Sequence, residues 1–495
     1  MKHVLAIDEG TTGVTSLVLS ADGRIVGRGY REITQHFPQP GWVEHDASEI
    51  FEKTIVAARE AIAQSGVTPD AIGITNQRET VVVWDRTTGE PLAHAIVWQD
   101  RRTAERCREL APHAADVTAR TGLPLDPYFS ATKLELLLKR PEIAGKANRG
   151  EVLAGTMDTW LIWKLTNGQV HATDPTNASR TLLFDIGRRE WSAELCRLFS
   201  VPESVLPQVR PSSGNFGIAG AEFFGAEIPI RGVAGDQQAA LFGQGCVTAG
   251  QGKNTYGTGA FLLLNTGDKQ PDPGEGILAT VACDANGGYA YALEGSIFIA
   301  GAAIQWLRDG LGIISKAEQS ESLAASLESN DGVYFVTALT GLGAPHWEPD
   351  ARGMITGLTR GTTKAHLVRA ALEAMAYGTR EVLLAMQERS GVPFDRLRVD
   401  GGASVNNWLM QFQADIIGVP VERPEAVETT AMGAAALAGI AAGVWRDSEE
   451  FVSVRRYTTF QPTISSAGRE ALVSGWDRAI ATALSWVNYE KPEGK

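Results

Sequence analysis

An α/β fold of two similar halves around a cleft is predicted by three features of this chain. A strand, a Gly/Thr tip and an apolar strand occur twice. The first copy runs His3-Val4-Leu5-Ala6-Ile7, Asp8-Glu9-Gly10-Thr11-Thr12-Gly13, then Thr15–Ser20; the second runs Gly252-Lys253-Asn254-Thr255, Tyr256-Gly257-Thr258-Gly259, then Ala260–Leu264. Two hairpins opening two half-chains suggest an internal duplication with a nucleotide held between the halves, which divides the chain into 1–244 and 245–495. Between the copies, strand-like and helix-like stretches alternate. At the seam the apolar run Ile228-Pro229-Ile230-Arg231-Gly232-Val233-Ala234 stops at Gly235-Asp236 and passes directly into Gln237-Gln238-Ala239-Ala240-Leu241-Phe242. A strand that ends there lifts the Asp236 carboxylate to the carboxyl edge of the sheet, where open α/β sheets place their chemistry. An isolated Asp in this context is an N-cap. In a seam between two halves it is placed to act as a general base.

A length of 495 residues allows two or three domains with large cores. The net charge of −13, with no basic stretch of five or more residues, disfavours nucleic acid as a partner and leaves small molecules. Cys107, Cys196, Cys246 and Cys283 form no Cys-x-x-Cys, so neither a zinc ribbon nor a disulfide framework is expected, as suits a reducing cytoplasm. Asp8 and Glu9 stand where a signal peptide's apolar core would run. The run Ala431–Trp445 is too short and too rich in Gly and Ala to span a membrane and reads as a buried helix.

Taken in order, the first tip has Gly10 and Gly13 for positive φ and close approach, and Thr11 and Thr12 for hydroxyl donors, so that it can wrap a phosphate or be an ordinary polar turn. The second copy favours the phosphate. Asp46 with Glu49 begins a helix in capping-box style, with Ile50, Ile55, Ala58 and Ile62 on one face. Ala71–Thr75 and Thr80–Trp84 read as strands joined by Asn76-Gln77-Arg78-Glu79. On a surface, Arg78-Glu79 is a weak ion pair. In a cleft, the two groups satisfy both the donor and the acceptor of a polyol hydroxyl. Trp98, Tyr128 and Phe129 are aromatics for core or for the carbon face of such a ligand. Ala300–Leu307 is helix-like, with Gly and Ala that permit close approach of a flat ring, and Arg398–Asn407 reads as strand, glycine turn and helix start, able to face a phosphate or ribose. Neither a P-loop nor a Rossmann fingerprint is present. The eight histidines include no pair at metal-ligand spacing, so any metal is Mg²⁺ arriving with the nucleotide, bound by Asp8 and Asp236 partly through water.

Over essentially its whole length the chain resembles the FGGY carbohydrate kinases, and among them the members that act on glycerol. The resemblance rests on GWVEHD at 41–46, ITNQRET at 74–80, AIVWQ at 95–99, DPYFS at 126–130, TMDTWLIW at 156–163, DPTNASRT at 174–181, AGDQQAALFG at 234–243, KNTYGTG at 253–259 and GMITGLTRGTTKAHLVRAALE at 353–373. It implies two actin-like (ribonuclease-H-like) domains around a nucleotide- and substrate-binding cleft. It further implies ATP-dependent phosphorylation of glycerol to sn-glycerol 3-phosphate. Glycerol contacts fall on Arg78, Glu79, Tyr128, Asp236 and Gln237, with Trp98 and Phe261 on its carbons and Asp236 as base. ATP contacts fall on Thr11, Thr12, Gly13, Thr258, Gly301, Gln305, Gly402 and Asn406, with Asp8 near Mg²⁺. DEGTTGVT departs from the usual DQGTTSSR in Glu9 for Gln, Gly13 for Ser, and Thr15 for a phosphate-facing Arg, as well as in Val14; Leu136 also stands where Trp is usual. Some members carry a phosphorylatable histidine at the position of Glu222 and an arginine, used in binding fructose bisphosphate, at that of Glu227. The carboxylates here imply escape from both controls and a homodimer. Kinases for another small polyol or keto-sugar share the fold. A non-enzymatic actin-like ATPase shares the hairpins but needs no polyol pocket.

Overall fold

Two mixed sheets dominate the computed structural model, which describes residues 1–426 and 428–487. The first runs, edge to edge, Ile25–Glu32, Gly13–Ser20, His3–Glu9, Ala71–Asn76, Ile228–Gly235 and Ile218–Ala219. The second runs Ile277–Cys283, Tyr289–Ile297, Ala260–Gly267, Gln251–Tyr256, Arg396–Asp400, Val421–Pro424 and Tyr457–Phe460. In each, the hairpin's first strand pairs antiparallel with its second and parallel with a strand that in turn pairs parallel with the next. The duplication expected from the hairpins is thus repeated in strand order and direction. Two α/β domains with mixed sheets flank a cleft.

Register decides where chemistry can sit. Glu9 lies opposite Asn76, and Asn76 opposite Gly235, so three parallel strands end level with one another. Whatever follows those ends, Gln77-Arg78-Glu79 and Asp236, shares one sheet edge. Residues between Asn76 and Ile228, with the earlier strand Glu44–His45, build an added layer around the four-stranded sheet Glu44–His45, Ala95–Ile96, Val81–Asp85 and Val152–Thr156. Its helix Ser130–Leu138 carries the supports Ser130 and Lys133 described below.

Helix Ala47–Ser65 starts as expected at Asp46, whose carboxylate accepts from the N–H groups of Ser48 and Glu49. It is a simple N-cap, since Glu49 turns away to Thr34 and does not reach back to the cap. The predicted buried helix is Thr429–Ala441. It belongs by sequence to the second half, yet it packs on the first sheet and on helix Asp236–Gly243. Its Gly/Ala composition has a steric cause. A Cβ on Gly433 would lie 1.8 Å from the Ala239 carbonyl oxygen, and one on Gly73 would lie 2.1 Å from that of Ala434. These backbones touch, and only glycine lets them. Beyond the helix, Trp445 is buried and donates from Nε1 to the Ala21 carbonyl at 2.8 Å. The four cysteines are buried and unpaired, and among the described residues no helix is long and apolar enough to cross a membrane.

Gly433→Ala is therefore expected to destabilise the protein by about 1–3 kcal/mol, because a backbone contact cannot yield as a side chain does. Chemical denaturation would check this; a variant as stable as the parent would show that the two helices can part without cost.

Candidate active site

At the shared strand edge, four charged side chains close a ring. Arg78 donates from Nη1 and Nη2 to the two carboxylate oxygens of Glu294, at 2.7 and 2.9 Å. Glu294 also accepts from Arg180 at 3.4 Å, Arg180 donates from Nε to Glu79 at 2.6 Å, and Glu79 lies 3.8 Å from Arg78 Nε. All four side chains are buried. Arg78 Nε reaches outward to Asp236 at 3.2 Å, and a third of the Asp236 side chain remains open to the cleft. Asp236 is the first residue of helix Asp236–Gly243, after the N-cap Gly235, and its carboxylate accepts from the Gln237 N–H at 2.6 Å as well as facing Arg78.

The backbone that presents these groups is held from several sides. Glu79 has φ of 63°, in the left-handed region that a glutamate enters at a cost. Its carbonyl accepts from Ser130 Oγ at 3.0 Å and Lys133 Nζ at 3.5 Å, and Lys133 also donates to the Tyr128 carbonyl at 2.7 Å. The DPTNASRT segment ties the strand ends together: Asn177 and Asn76 exchange amide hydrogen bonds at 3.0 and 3.1 Å, and Thr176 Oγ1 accepts from the Gly235 N–H at 2.9 Å. Asp174 caps its short helix, and Arg180 emerges three residues after Asn177 into the ring.

A cavity of about 920 Å³ opens beside the ring, lined by Trp98, Tyr128, Phe129, Phe261, Arg180 and Glu294 among others. Trp98 and Tyr128 meet edge to face at 5.4 Å on one wall, while Phe261 stands on the opposite wall, on strand Ala260–Gly267. Trp98 Nε1 donates to Thr11 Oγ1 at 2.9 Å, which ties the aromatic wall to the first hairpin tip. Gln237 projects toward the second half, where its Oε1 accepts from Lys253 Nζ at 2.5 Å. Of the predicted polyol set, Trp98, Tyr128 and Phe261 line this cavity; Arg78, Glu79, Asp236 and Gln237 do not, and Arg78 and Glu79 adjoin it through Glu294 and Arg180.

The predicted nucleotide set divides. Thr258, Gly301, Gln305, Gly402 and Asn406 line a second cavity of about 430 Å³ within the second half. Thr11, Thr12 and Gly13 lie on the first half's hairpin and do not line it. Several of these residues also have local reasons to be what they are. A Cβ on Gly301 would meet the Gly257 carbonyl at 2.6 Å, and Asn406 caps helix Asn407–Ile417 by accepting from the Leu409 N–H at 2.9 Å. Gly402 has nothing within 4 Å of an added Cβ and faces open space. A Cβ on Gly13 would lie 2.6 Å from the Tyr30 hydroxyl, which accounts for glycine where serine is usual. Thr15 sits opposite Asp8 and Tyr30 in the sheet.

Burial shapes the charges here. Burial, then the charge of Asp236, pushes Asp8 up to about 7. Burial also raises Asp236 against the pull of Arg78, the Gln237 N–H and Lys253. Burial works against Glu294 too, but Arg180 and Arg78 hold its carboxyl down to about 2. Lys253, fully buried and donating to the neutral Gln237 and Thr255, is lowered by burial against the pull of Asp400, Asp236 and Glu294. No group of three or more His, Cys, Asp or Glu forms a metal site among the described residues. Two carboxylates whose negative charges oppose each other in a cleft do fit a hard divalent cation that takes its remaining oxygens from water and phosphate.

Sequence reasoning missed Arg180, Glu294, Lys133 and Lys253. Glu294 carried a signal: a charged side chain inside an apolar pattern, Tyr289-Ala290-Tyr291-Ala292-Leu293-Glu294, is buried only if paired. The partners, 216 and 101 residues away, were not visible.

Comparison with known proteins agrees with this geometry. The N-terminal domain of the FGGY family of carbohydrate kinases matches residues 3–243, and its C-terminal domain matches 252–442. Glycerol kinase 2 of Thermotoga maritima is 54% identical over 98% of this chain and 99% of its own. Glycerol kinase of Carboxydothermus hydrogenoformans is 55% identical with the same coverage. The crystal structure of Plasmodium falciparum glycerol kinase with ADP superposes with a TM-score of 0.93 at 37% identity, covering 98% of each chain.

Glu9 offers a test of the electrostatics. It is fully buried, accepts from Gln77 Nε2 at 2.7 Å through one oxygen and has no partner for the other, and burial raises its pKa well above 4.5. Its contribution to stability is therefore full below that ordinary value and is lost as pH rises through the raised one. Glu9→Gln removes the loss. The melting temperature of the variant should fall less than the parent's between about pH 5 and pH 8.5; parallel curves would mean that Glu9 ionises freely in the folded protein.

Proposed function

Taking as premise that the chain belongs to the FGGY family of carbohydrate kinases and is closely related to glycerol kinases, we propose that it transfers the γ-phosphoryl group of ATP to a terminal hydroxyl of glycerol, giving sn-glycerol 3-phosphate. The observation that carries the reading is the pocket floor. Arg78 lies within 4 Å of both Glu79 and Asp236 at a strand edge, beside the Trp98–Tyr128 wall. A small neutral polyol needs paired donors and acceptors for its hydroxyls and an apolar face for its carbons, and this floor and wall offer both.

In this reading Arg78 and Glu79 hold the hydroxyls that do not react. Asp236 takes the proton of the attacking hydroxyl as its oxygen bonds to the γ-phosphorus and the bond to the β-γ bridging oxygen breaks, releasing ADP. The second cavity takes adenosine at Gly301, Gln305, Gly402 and Asn406. Thr11, Thr12, Gly13 and Thr258 offer donors to the phosphates from both sides. Asp8 and Asp236 would hold Mg²⁺, partly through water, and the ion would supply charge neutralisation on the polyphosphate. The halves 1–244 and 245–495 act as ribonuclease-H-like domains whose closure brings the hairpins together and excludes water.

A coupled assay of ADP release across glycerol, dihydroxyacetone, glyceraldehyde, erythritol and xylulose decides the substrate. Glycerol should have the highest kcat/KM; faster turnover of xylulose would replace this reading with that of a keto-sugar kinase. Asp236→Asn should fold, bind glycerol and lose about 10²-fold or more in kcat, since an amide accepts no proton. A near-normal kcat in that variant would remove Asp236 from the chemistry.

A further inference from the structure

The ring at the pocket floor contains two guanidinium and two carboxylate groups, and its fourth member comes from the other half of the protein. Arg78, Glu79 and Arg180 belong to the first half; Glu294 lies on strand Tyr289–Ile297 of the second. Glu294 engages both terminal nitrogens of Arg78, and Arg180 is held by Glu79 and Glu294. Both arginines are therefore committed to carboxylates. Arg180 and Glu294 line the same cavity as Trp98, Tyr128 and Phe261, so a ligand there meets the ring directly.

We propose that Glu294 is a specificity-determining residue: by neutralising Arg78 and Arg180 it makes the pocket select an uncharged three-carbon polyol and reject the three-carbon acid of the same shape. The inference rests on the pocket reading given above. Without Glu294, two planar guanidinium groups at the end of a small polar cavity would make a carboxylate receptor, since fork-to-carboxylate pairing is the strongest contact they can offer. With Glu294 present, an incoming carboxylate has to displace a bidentate partner already in place and becomes a fourth carboxylate beside Glu79, Asp236 and Glu294. A hydroxyl needs no such exchange. Glu294 also fixes the orientation of Arg78 from across the cleft, so the pocket is complete only when strand Tyr289–Ile297 lies against it.

The test uses charge-swapped variants and two probes of glycerol's size: D-glycerate, an anion, and 2-amino-1,3-propanediol, a cation at neutral pH. Wild-type turnover of glycerol is measured first; its absence counts against the substrate reading and leaves the charge experiment to be read by calorimetric binding of the probes. Glu294→Gln gives the ring a net positive charge. It should raise the glycerol KM about tenfold or more, leave the ATP KM unchanged, and gain competitive inhibition by glycerate that the parent lacks. Glu294→Asp keeps the charge and should keep glycerate out. Arg180→Gln shifts the ring the opposite way and should gain inhibition by the aminodiol and none by glycerate, which keeps the inference testable if Glu294→Gln is insoluble. Folded variants that treat the two probes as the wild type does would overturn it.

Discussion

Burying two guanidinium and two carboxylate groups at the bottom of a cleft is tolerable only if each keeps its partners, and much of the surrounding structure follows from that condition. Losing one member of a buried pair costs about 3–5 kcal/mol, so Arg78, Glu79, Arg180 and Glu294 have to be held in place together. The hydroxyl of Ser130 and the ammonium of Lys133 fix the left-handed backbone at Glu79. The Asn76–Asn177 amide pair and Asp174 fix the segment that carries Arg180. Gln238 spans from Arg78 to Thr280 and the Val281 carbonyl, carrying the same network across to the second half. The four charges of the floor sum to zero, and the carboxylate proposed as base, that of Asp236, is held beside it by Arg78 and by the Gln237 N–H.

A second constraint governs how the halves can move. Helix Thr429–Ala441 lies on the first sheet with backbone against backbone, and its neighbour Asp236–Gly243 begins at the residue proposed as base. The far end of that neighbour is gripped by the second half: Arg398 donates to the Gln244 carbonyl and Arg455 to that of Gly243, while Asp400 accepts from Gln244 at 3.0 Å and also from Thr429. Two cations at a helix C-terminus complement its dipole as a carboxylate does at the N-terminus. Motion of the second half is thereby connected, through one short helix, to the position of Asp236.

Much of the fold could be read from local pattern. The hairpins, the central strand ending at Gly235 and the buried Gly/Ala helix are visible because turn glycines and apolar runs are short-range signals. Less visible were the exact limits and the local causes. Glu49 serves Thr34 and not the helix cap, and Gly301 is demanded by the Gly257 carbonyl before any ligand is considered. Gly13 is glycine because Tyr30, on a strand two removed from the first, occupies the space a side chain would need. Such contacts are steric facts about neighbours distant in the chain.

By itself the sequence determined that the protein is an α/β duplication, that it belongs among the carbohydrate kinases, and that Asp236, Arg78 and Glu79 are carried on strand-end turns. These follow from periodicity, from glycine placement and from motifs whose residues are adjacent. The tertiary structure alone decided what those charges meet. Asp236 divides its carboxylate between the Gln237 N–H of its own helix and Arg78, and Arg78 is held by Glu294, 216 residues away. Electrostatic pairing in a buried site is set by distances of a few ångströms between segments that the chain separates by hundreds of residues, so it is specified by folding and not by neighbourhood in sequence.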